Sequence, residues 1–436
     1  MSRTFRALAV RNYRLYAAGA LVSNVGTWMQ RVGQDWLVLQ LSGGSGAAVG
    51  ITTGLQFLPM LVLSPFAGLV ADRFPKQRVL ICTQIAMAVP AALLGVLAVS
   101  GLAQTWHVYV LALLFGIGTA FDAPARQSFV VEIVGRDELT NAVGLNSASF
   151  NLARIVGPAV AGGLIALLGS GPAATGWVIV INAVSYLGVV GSMLAMRTAE
   201  LTPADVVARG PGSIREGLRY VRGRPDLMLV LVIVFFVGTF GLNFQLTSAL
   251  MATDVFSKGA GAYGLLSSVM AIGSLAGALL AARRGRPTLR LVVLAAVAFC
   301  LAEIVAGLLP TYLTFAIWLP LLGLTALTVI TAANATMQLS VAPQMRGRVA
   351  ALYLMVFMGG TPLGAPIIGW VGDVFGARWT LIGGGAVALL GTLVATALFA
   401  WRNGLVVRAH LGPRPGFEVS TPAERVERHR SRSLVG

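Results

Sequence analysis

The sequence predicts an all-α integral membrane protein, with twelve transmembrane helices in two six-helix halves and both termini on the cytoplasmic side. Three observations carry this. Twelve long apolar stretches run along a chain of 436 residues. The composition is 56% hydrophobic and only 11% charged, against about 25% charged in a soluble domain. The basic residues fall almost entirely in alternate gaps between the stretches.

A helix crossing a hydrocarbon core of about 30 Å needs about 20 mostly apolar residues. The stretches lie at 14–40, 47–71, 79–100, 106–126, 141–168, 176–196, 227–252, 261–282, 290–309, 312–338, 348–372 and 379–401. Backbone groups in lipid must be satisfied within their segment, and runs this long lack the period-two alternation of a barrel, so helices are expected. Arg3, Arg6, Arg11 and Arg14 precede span one, and Arg73, Lys76 and Arg78 follow span two. Arg136 follows span four, and Arg197, Arg209, Arg215, Arg219, Arg222 and Arg224 follow span six. Arg283, Arg284, Arg286 and Arg290 follow span eight, Arg346 and Arg348 follow span ten, and seven Arg follow span twelve. The remaining gaps hold only Lys258 and Arg378. Basic loops mark the cytoplasmic side, so both termini are expected there.

The longest gap divides the chain. The expected units are a first half, 1–196, a linker, 197–226, a second half, 227–401, and a disordered basic cytoplasmic tail, 402–436. In the linker, Ser213-Ile-Arg-Glu216 reads as a capping box opening a short amphipathic helix on the inner leaflet. Gly68 and Gly277 end spans two and eight, each ahead of a basic cluster. Their offset of about 209 residues fits two halves related by an axis along the membrane normal, with a site near midplane between them.

Composition also excludes. The net charge of +16 sits largely in loops, linker and tail, so it is no argument for nucleic acid. Neither Lys76 nor Lys258 follows a Gly, which rules out a P-loop. His107, His410 and His429 are scattered without a metal-ligand pattern, and no catalytic cluster can be argued, so no metal, no cofactor and no enzyme are expected. Cys82 and Cys300 lie in apolar stretches and say nothing of redox compartment. The first stretch is too long for a leader and lacks a small-residue cleavage site, so no cleaved signal is expected.

Two motifs carry more. Gly68-Leu-Val-Ala-Asp72-Arg73-Phe-Pro75-Lys76-Gln77-Arg78 closes span two and resembles the loop G-x-x-x-D-R-x-G-R-R of the major facilitator superfamily, with Pro75 where Gly is usual. Gly144, Ala153, Gly157-Pro158 and Ala161-Gly162-Gly163 resemble that family's helix-five motif, found mostly in exporters, with Ala153 and Ala161 replacing glycines. Trp28-Met-Gln-Arg31-Val-Gly-Gln34-Asp35-Trp36-Leu37, Phe121-Asp122-Ala-Pro124-Ala-Arg126-Gln127, Asn151-Leu-Ala-Arg154-Ile-Val-Gly157-Pro158 and Arg346-Gly-Arg348-Val349 are similar to the bacterial branch of enterobactin-exporter-like proteins. The resemblance spans about residues 10 to 400. It implies a proton-coupled efflux carrier of the bacterial cytoplasmic membrane, exporting a siderophore, drug or metabolite. It also implies that Gly68, Asp72, Arg73, Arg78, Asp122 and Arg126 gate the inner end, with Gly157 and Pro158 as a packing hinge. Alignment of Gly277 on Gly68 puts Ala281 at the Asp72 position, so one latch carboxylate is expected.

Charges inside spans are expensive in lipid and become candidates for function. Arg154 lies about 18 Å into span five at ~1.5 Å per residue, on one face with Ser147 and Asn151. It could bind an anionic or catechol-like substrate, or pair with an acid on another helix. Arg31 and Asp35 are spaced to pair with each other in the outer third of span one, or to serve in gating or proton transfer; one of Asp35, Asp122 and Glu303 is expected to carry the proton. Glu303, near the middle of span nine, could carry a proton or stay neutral, hydrogen-bonded to a neighbouring helix. Asn243, Gln245, Asn334 and Gln338 lie on spans that line the cavity in the resembled fold, where each is either a ligand contact or a helix–helix hydrogen bond. The expected partners are a small-molecule substrate, protons and lipids, and a monomer is expected. An importer or uniporter of the same fold, or a membrane sensor or scaffold, are the alternatives.

Overall fold

The computed structural model describes residues 3–135, 137–202, 213–404, 406–410 and 416–420. Fourteen helices account for most of them. The first bundle holds α1 (Arg11–Leu41), α2 (Gly46–Arg73), α3 (Lys76–Val99), α4 (Thr105–Val134), α5 (Leu139–Leu167) and α6 (Pro172–Leu194). A short α7 (Ser213–Arg222) leads to α8 (Pro225–Phe236) and α9 (Phe244–Leu250). The second bundle is completed by α10 (Ala260–Arg283), α11 (Leu289–Leu308), α12 (Tyr312–Leu339), α13 (Arg346–Phe375) and α14 (Ala377–Arg402).

Among the described residues, 11 segments are long and apolar enough to cross a membrane. α1 is not one of them. It has 31 residues, but Asn12, Ser23, Gln30, Arg31, Gln34 and Asp35 lower its hydropathy. The helix tolerates them because most are buried against protein rather than turned to lipid: Gln30 against α6, Gln34 against α2 and Asp35 against α10.

The seventh stretch is not the continuous helix expected over 227–252. α8 and α9 are separated by a π-helical turn, Val237–Gly241, and by non-helical backbone at Leu242 and Asn243. A second π-turn, Met251–Val255, follows α9. Gly238 and Gly241, poor helix formers, fall at the break. π-turns are rare and recur at functional sites.

Each half packs within itself: α3 on α4 and α6, α1 on α5 and α6, α11 on α12 and α14. The most extensive contacts between the halves are those of α2 with α13 and of α5 with α10. Small residues permit both. A side chain at Gly54 would meet the Pro362 carbonyl at 3.1 Å, and one at Gly162 the Ala260 carbonyl at 2.6 Å. Backbones approach this closely only where a Cβ is missing. The end of the molecule carrying Arg11, Arg73, Lys76, Arg283 and Arg346 is termed the basic end, and the opposite one the far end.

The linker helix forms over Ser213–Arg222. Its capping side chain, Arg136 and residues 203–212 lie outside the described residues. The apolar face of α7 is turned onto α13 and α8: Val221 is fully buried, and Glu216 bonds Arg348 at 3.0 Å. Most of the tail expected to be disordered also lies outside the described residues. Within it, Val406–His410 pairs antiparallel with Gly416–Ser420.

Candidate functional site

The two halves close on each other at the far end. Asp373, at the end of α13, reaches the first turn of α2. Its carboxylate accepts from Ser45 Oγ at 2.8 Å, from Gly46 N at 2.5 Å and from Ala47 N at 3.0 Å. A carboxylate at a helix N-terminus satisfies orphan backbone donors and complements the helix dipole. Deeper in, Tyr263 of α10 donates to Asp35 Oδ2 of α1 at 2.9 Å, and Trp36 stacks on the Tyr263 ring. Further along α5, Pro158 packs against Gly264.

Toward the basic end α5 and α10 diverge. On α5, the stripe that meets α10 at Gly162 and Pro158 continues by i−4 and i−7 steps through Arg154, Asn151 and Ser147. There it is no longer covered: Ser147 is exposed, and Asn151 and Arg154 are half-buried. On α2, Gly46, Gly50 and Gly54 are covered by α13, and the contact runs on to Leu61, which a Cβ at Gly359 would meet at 2.9 Å. Between α5 and α10 the interface is thus a cleft, sealed at the far end and open toward the basic end.

Arg31 and Arg154 lie at the bottom of this cleft. The Arg31 guanidinium sits over the Trp28 ring at 4.6 Å and near Phe57 at 5.6 Å. Its Nε is buried with no hydrogen-bond partner among the described residues. The expected ion pair with Asp35 does not form within 4.0 Å, because Asp35 turns to Tyr263 on the other half. Arg154 has no carboxylate partner among the described residues either, and it is close enough to Arg31 for the two cations to repel. Around them, Gln34 donates to Gln56 at 2.8 Å, Asn182 bonds Gln30, and Trp28 meets Phe150 edge-on. Gly157 lets α5 lie against α1, where a Cβ would stand 2.6 Å from that of Trp28.

The expected basic-end network takes a different form. Asp122 accepts from Thr83 Oγ1 at 2.9 Å, Gln84 Nε2 at 2.7 Å and Arg126 Nε at 2.8 Å, all within the first half. Arg73 and Arg78 are exposed and are not among its partners; Gly68 is buried and Asp72 half-buried. A second ion pair that the sequence reading missed, Lys76 with Glu132 at 2.5 Å, ties α3 to α4. Asp373 was missed as well. Its signal was present, since Gly369-x-x-x-Asp373 in span eleven repeats the spacing of Gly68-x-x-x-Asp72 in span two.

The remaining candidates separate. Glu303 is fully buried with neither oxygen hydrogen-bonded among the described residues, so the expected helix–helix bond is not made. It faces the π-turn, 3.0 Å from where a Cβ on Gly241 would lie. Asn243 donates to Thr239 O at 2.8 Å, Gln338 to Asn334 Oδ1 at 2.8 Å, and Asn151 to Ser147 O at 2.9 Å, each within its own segment rather than between helices. Gln245 is half-buried.

Comparison with known proteins agrees with this architecture. Residues 2–418 match the family described as transmembrane secretion effector. The multidrug efflux pump Tap of Mycolicibacterium fortuitum is 30% identical over 393 residues, 87% of this chain and 93% of that protein. Macrolide efflux protein A of Streptococcus pyogenes is 25% identical over 354 residues, covering 78% and 85%. Among solved structures, an inward-facing, unoccupied bacterial homologue of the human lysosomal transporter Spinster superposes with a TM-score of 0.65 at 18% identity, covering 88% of this chain and 96% of that one. At that identity the likeness speaks for the fold alone.

Proposed function

The chain belongs to the transmembrane secretion effector family of major facilitator transporters, and from that premise we propose that it exports a small organic molecule by alternating access, driven by the proton gradient. The observation that carries this reading is the cleft between the halves, sealed at the far end and open at the basic end, with a polar and cationic stripe at its bottom. The basic end is the cytoplasmic one, as the loop charges argue. α1 is the twelfth transmembrane helix, and the protein works as a monomer in the bacterial cytoplasmic membrane. The state described is the one that loads from the cytoplasm.

Alternation needs a latch at each end. Asp373 on the first turn of α2 closes the far end. Asp72, with Gly68, Arg73 and Arg78, closes the basic end, where α2 and α13, running antiparallel, bring the end of one near the start of the other. Gly157 and Pro158 are the small, tightly packed point about which α5 rocks on α1. Four hydrogen bonds from Thr83, Gln84 and Arg126 hold the Asp122 carboxylate, which favours a fixed ion pair over a proton carrier. Asp35 and Glu303 remain as sites for the coupled proton.

The test is transport by the purified protein in vesicles with an imposed pH gradient, against a panel of small molecules. Flux that follows the gradient and collapses with a protonophore is expected. Flux indifferent to the protonophore refutes proton coupling, and no flux of any compound favours the sensor or scaffold.

A further inference from the structure

We propose that Arg31 and Arg154 form a site for an organic anion with an aromatic or other flat apolar body, and that the exported molecule belongs to that class; the second clause rests on the transporter reading above. The site holds two cations and one acid. Arg31 and Arg154 lie at the bottom of the cleft, and neither has a carboxylate within 4.0 Å among the described residues. The other groups within electrostatic reach of Arg31 are Asp35, Tyr186 and Tyr263. Asp35 is already held by Tyr263, and Tyr186 shares a hydrogen bond with Thr27. A buried guanidinium with an unsatisfied Nε is costly unless something arrives to pair with it. A carboxylate or phenolate suits this place, because guanidinium binds planar oxyanions through parallel hydrogen bonds. A cationic molecule would meet repulsion from both arginines and find no uncommitted acid. The walls set the rest of the shape: Trp28 under Arg31, Phe57 beside it and Phe150 edge-on to Trp28 form an apolar aromatic surface next to the charges.

The same arrangement decides between the two proton sites. A proton on Asp35 removes the one negative charge beside Arg31, so it strengthens anion binding there. An exchanger needs the reverse, with proton and substrate opposing each other. Glu303, on α11 against the π-turn and outside the cleft, is free of that conflict. That turn packs directly on α13 at Gly360 and Gly364, which links Glu303 to a helix joining the two halves.

The experiment is equilibrium binding to the full chain in lipid nanodiscs, with three probes of one shape: 1-naphthoate, 1-naphthylmethanol and 1-naphthylmethylammonium. Naphthoate is expected to bind at least about tenfold more tightly than the alcohol, with the ammonium weakest. Arg154→Gln is expected to erase most of that preference and Arg154→Lys to keep part of it. Arg31→Gln serves as a second variant only if its thermal melt matches the parent. Equal affinities for anion and alcohol, a preference for the cation, or an anion affinity unchanged in Arg154→Gln would overturn the site. Anion binding without flux in vesicles would instead refute the export reading and leave the site standing.

Discussion

Replacing Asp373 by alanine removes the side chain that joins the end of α13 to the start of α2. Three hydrogen bonds go with it, two of them to the orphan amides of Gly46 and Ala47. Loss of an N-cap costs about 0.5–2 kcal/mol, and loss of a carboxylate at the positive end of a helix about 0.3–1 kcal/mol. Asp373 is exposed and water can replace part of what is lost, so a net effect of about 1–2 kcal/mol is reasonable. That corresponds to a roughly 5–30-fold shift in the ratio of states closed and open at the far end. Spin labels at Leu168 and Lys258, on opposite halves at the far end, report this ratio as a distance distribution, with the exposed Cys82 replaced by serine. A second, longer distance should gain population in Asp373→Ala, and Asp373→Asn should lie between it and the parent. A distribution unchanged in the alanine variant, in protein with an undisturbed melt, would show that the carboxylate does not latch the halves.

Other substitutions test other parts of the argument. Gly50→Ala drives a Cβ into the Ala365 carbonyl, so it should cost about 1–3 kcal/mol of the closed far end and lengthen the same label distance. Asp122→Asn leaves Arg126 buried without its counter-charge. It should lower stability by about 3–5 kcal/mol, read as a fall in melting temperature in detergent, whereas Asp35→Asn, which breaks no ion pair, should melt nearer the parent. Glu303→Gln removes the acid at nearly constant shape in a place where no hydrogen bond is lost. Its melt should match the parent while gradient-driven flux disappears, and flux retained in full would exclude it as the proton site.

Much of the architecture was legible in the chain because the signals are local. The eleven segments long and apolar enough to span a membrane fall where the apolar runs lie, and α1 emerges as a long helix although its composition hides it. The break in the seventh span was less legible. A run averaging as apolar as 227–252 predicts one helix, and only Gly238 and Gly241 hint that the backbone departs there. For the candidate site, spacing along one helix gave the wrong partners. Arg31 and Asp35 are i, i+4, which makes a pair possible, but Tyr263 from the other half offers Asp35 a buried hydrogen bond at 2.9 Å. Asn334 and Gln338 went the opposite way, expected to bond between helices yet satisfying each other along one.

The sequence by itself determined that this chain lives in a membrane and that a few charges lie within its apolar stretches. Hydropathy and charge are properties of consecutive residues, so no fold is needed to read them. Only the tertiary structure decided which end is closed, that Asp373 meets the first turn of α2 there, and that neither Arg31 nor Arg154 has a carboxylate within 4.0 Å among the described residues. Those facts depend on which helices meet across the interface, and close approach between distant segments leaves no periodic trace in the chain.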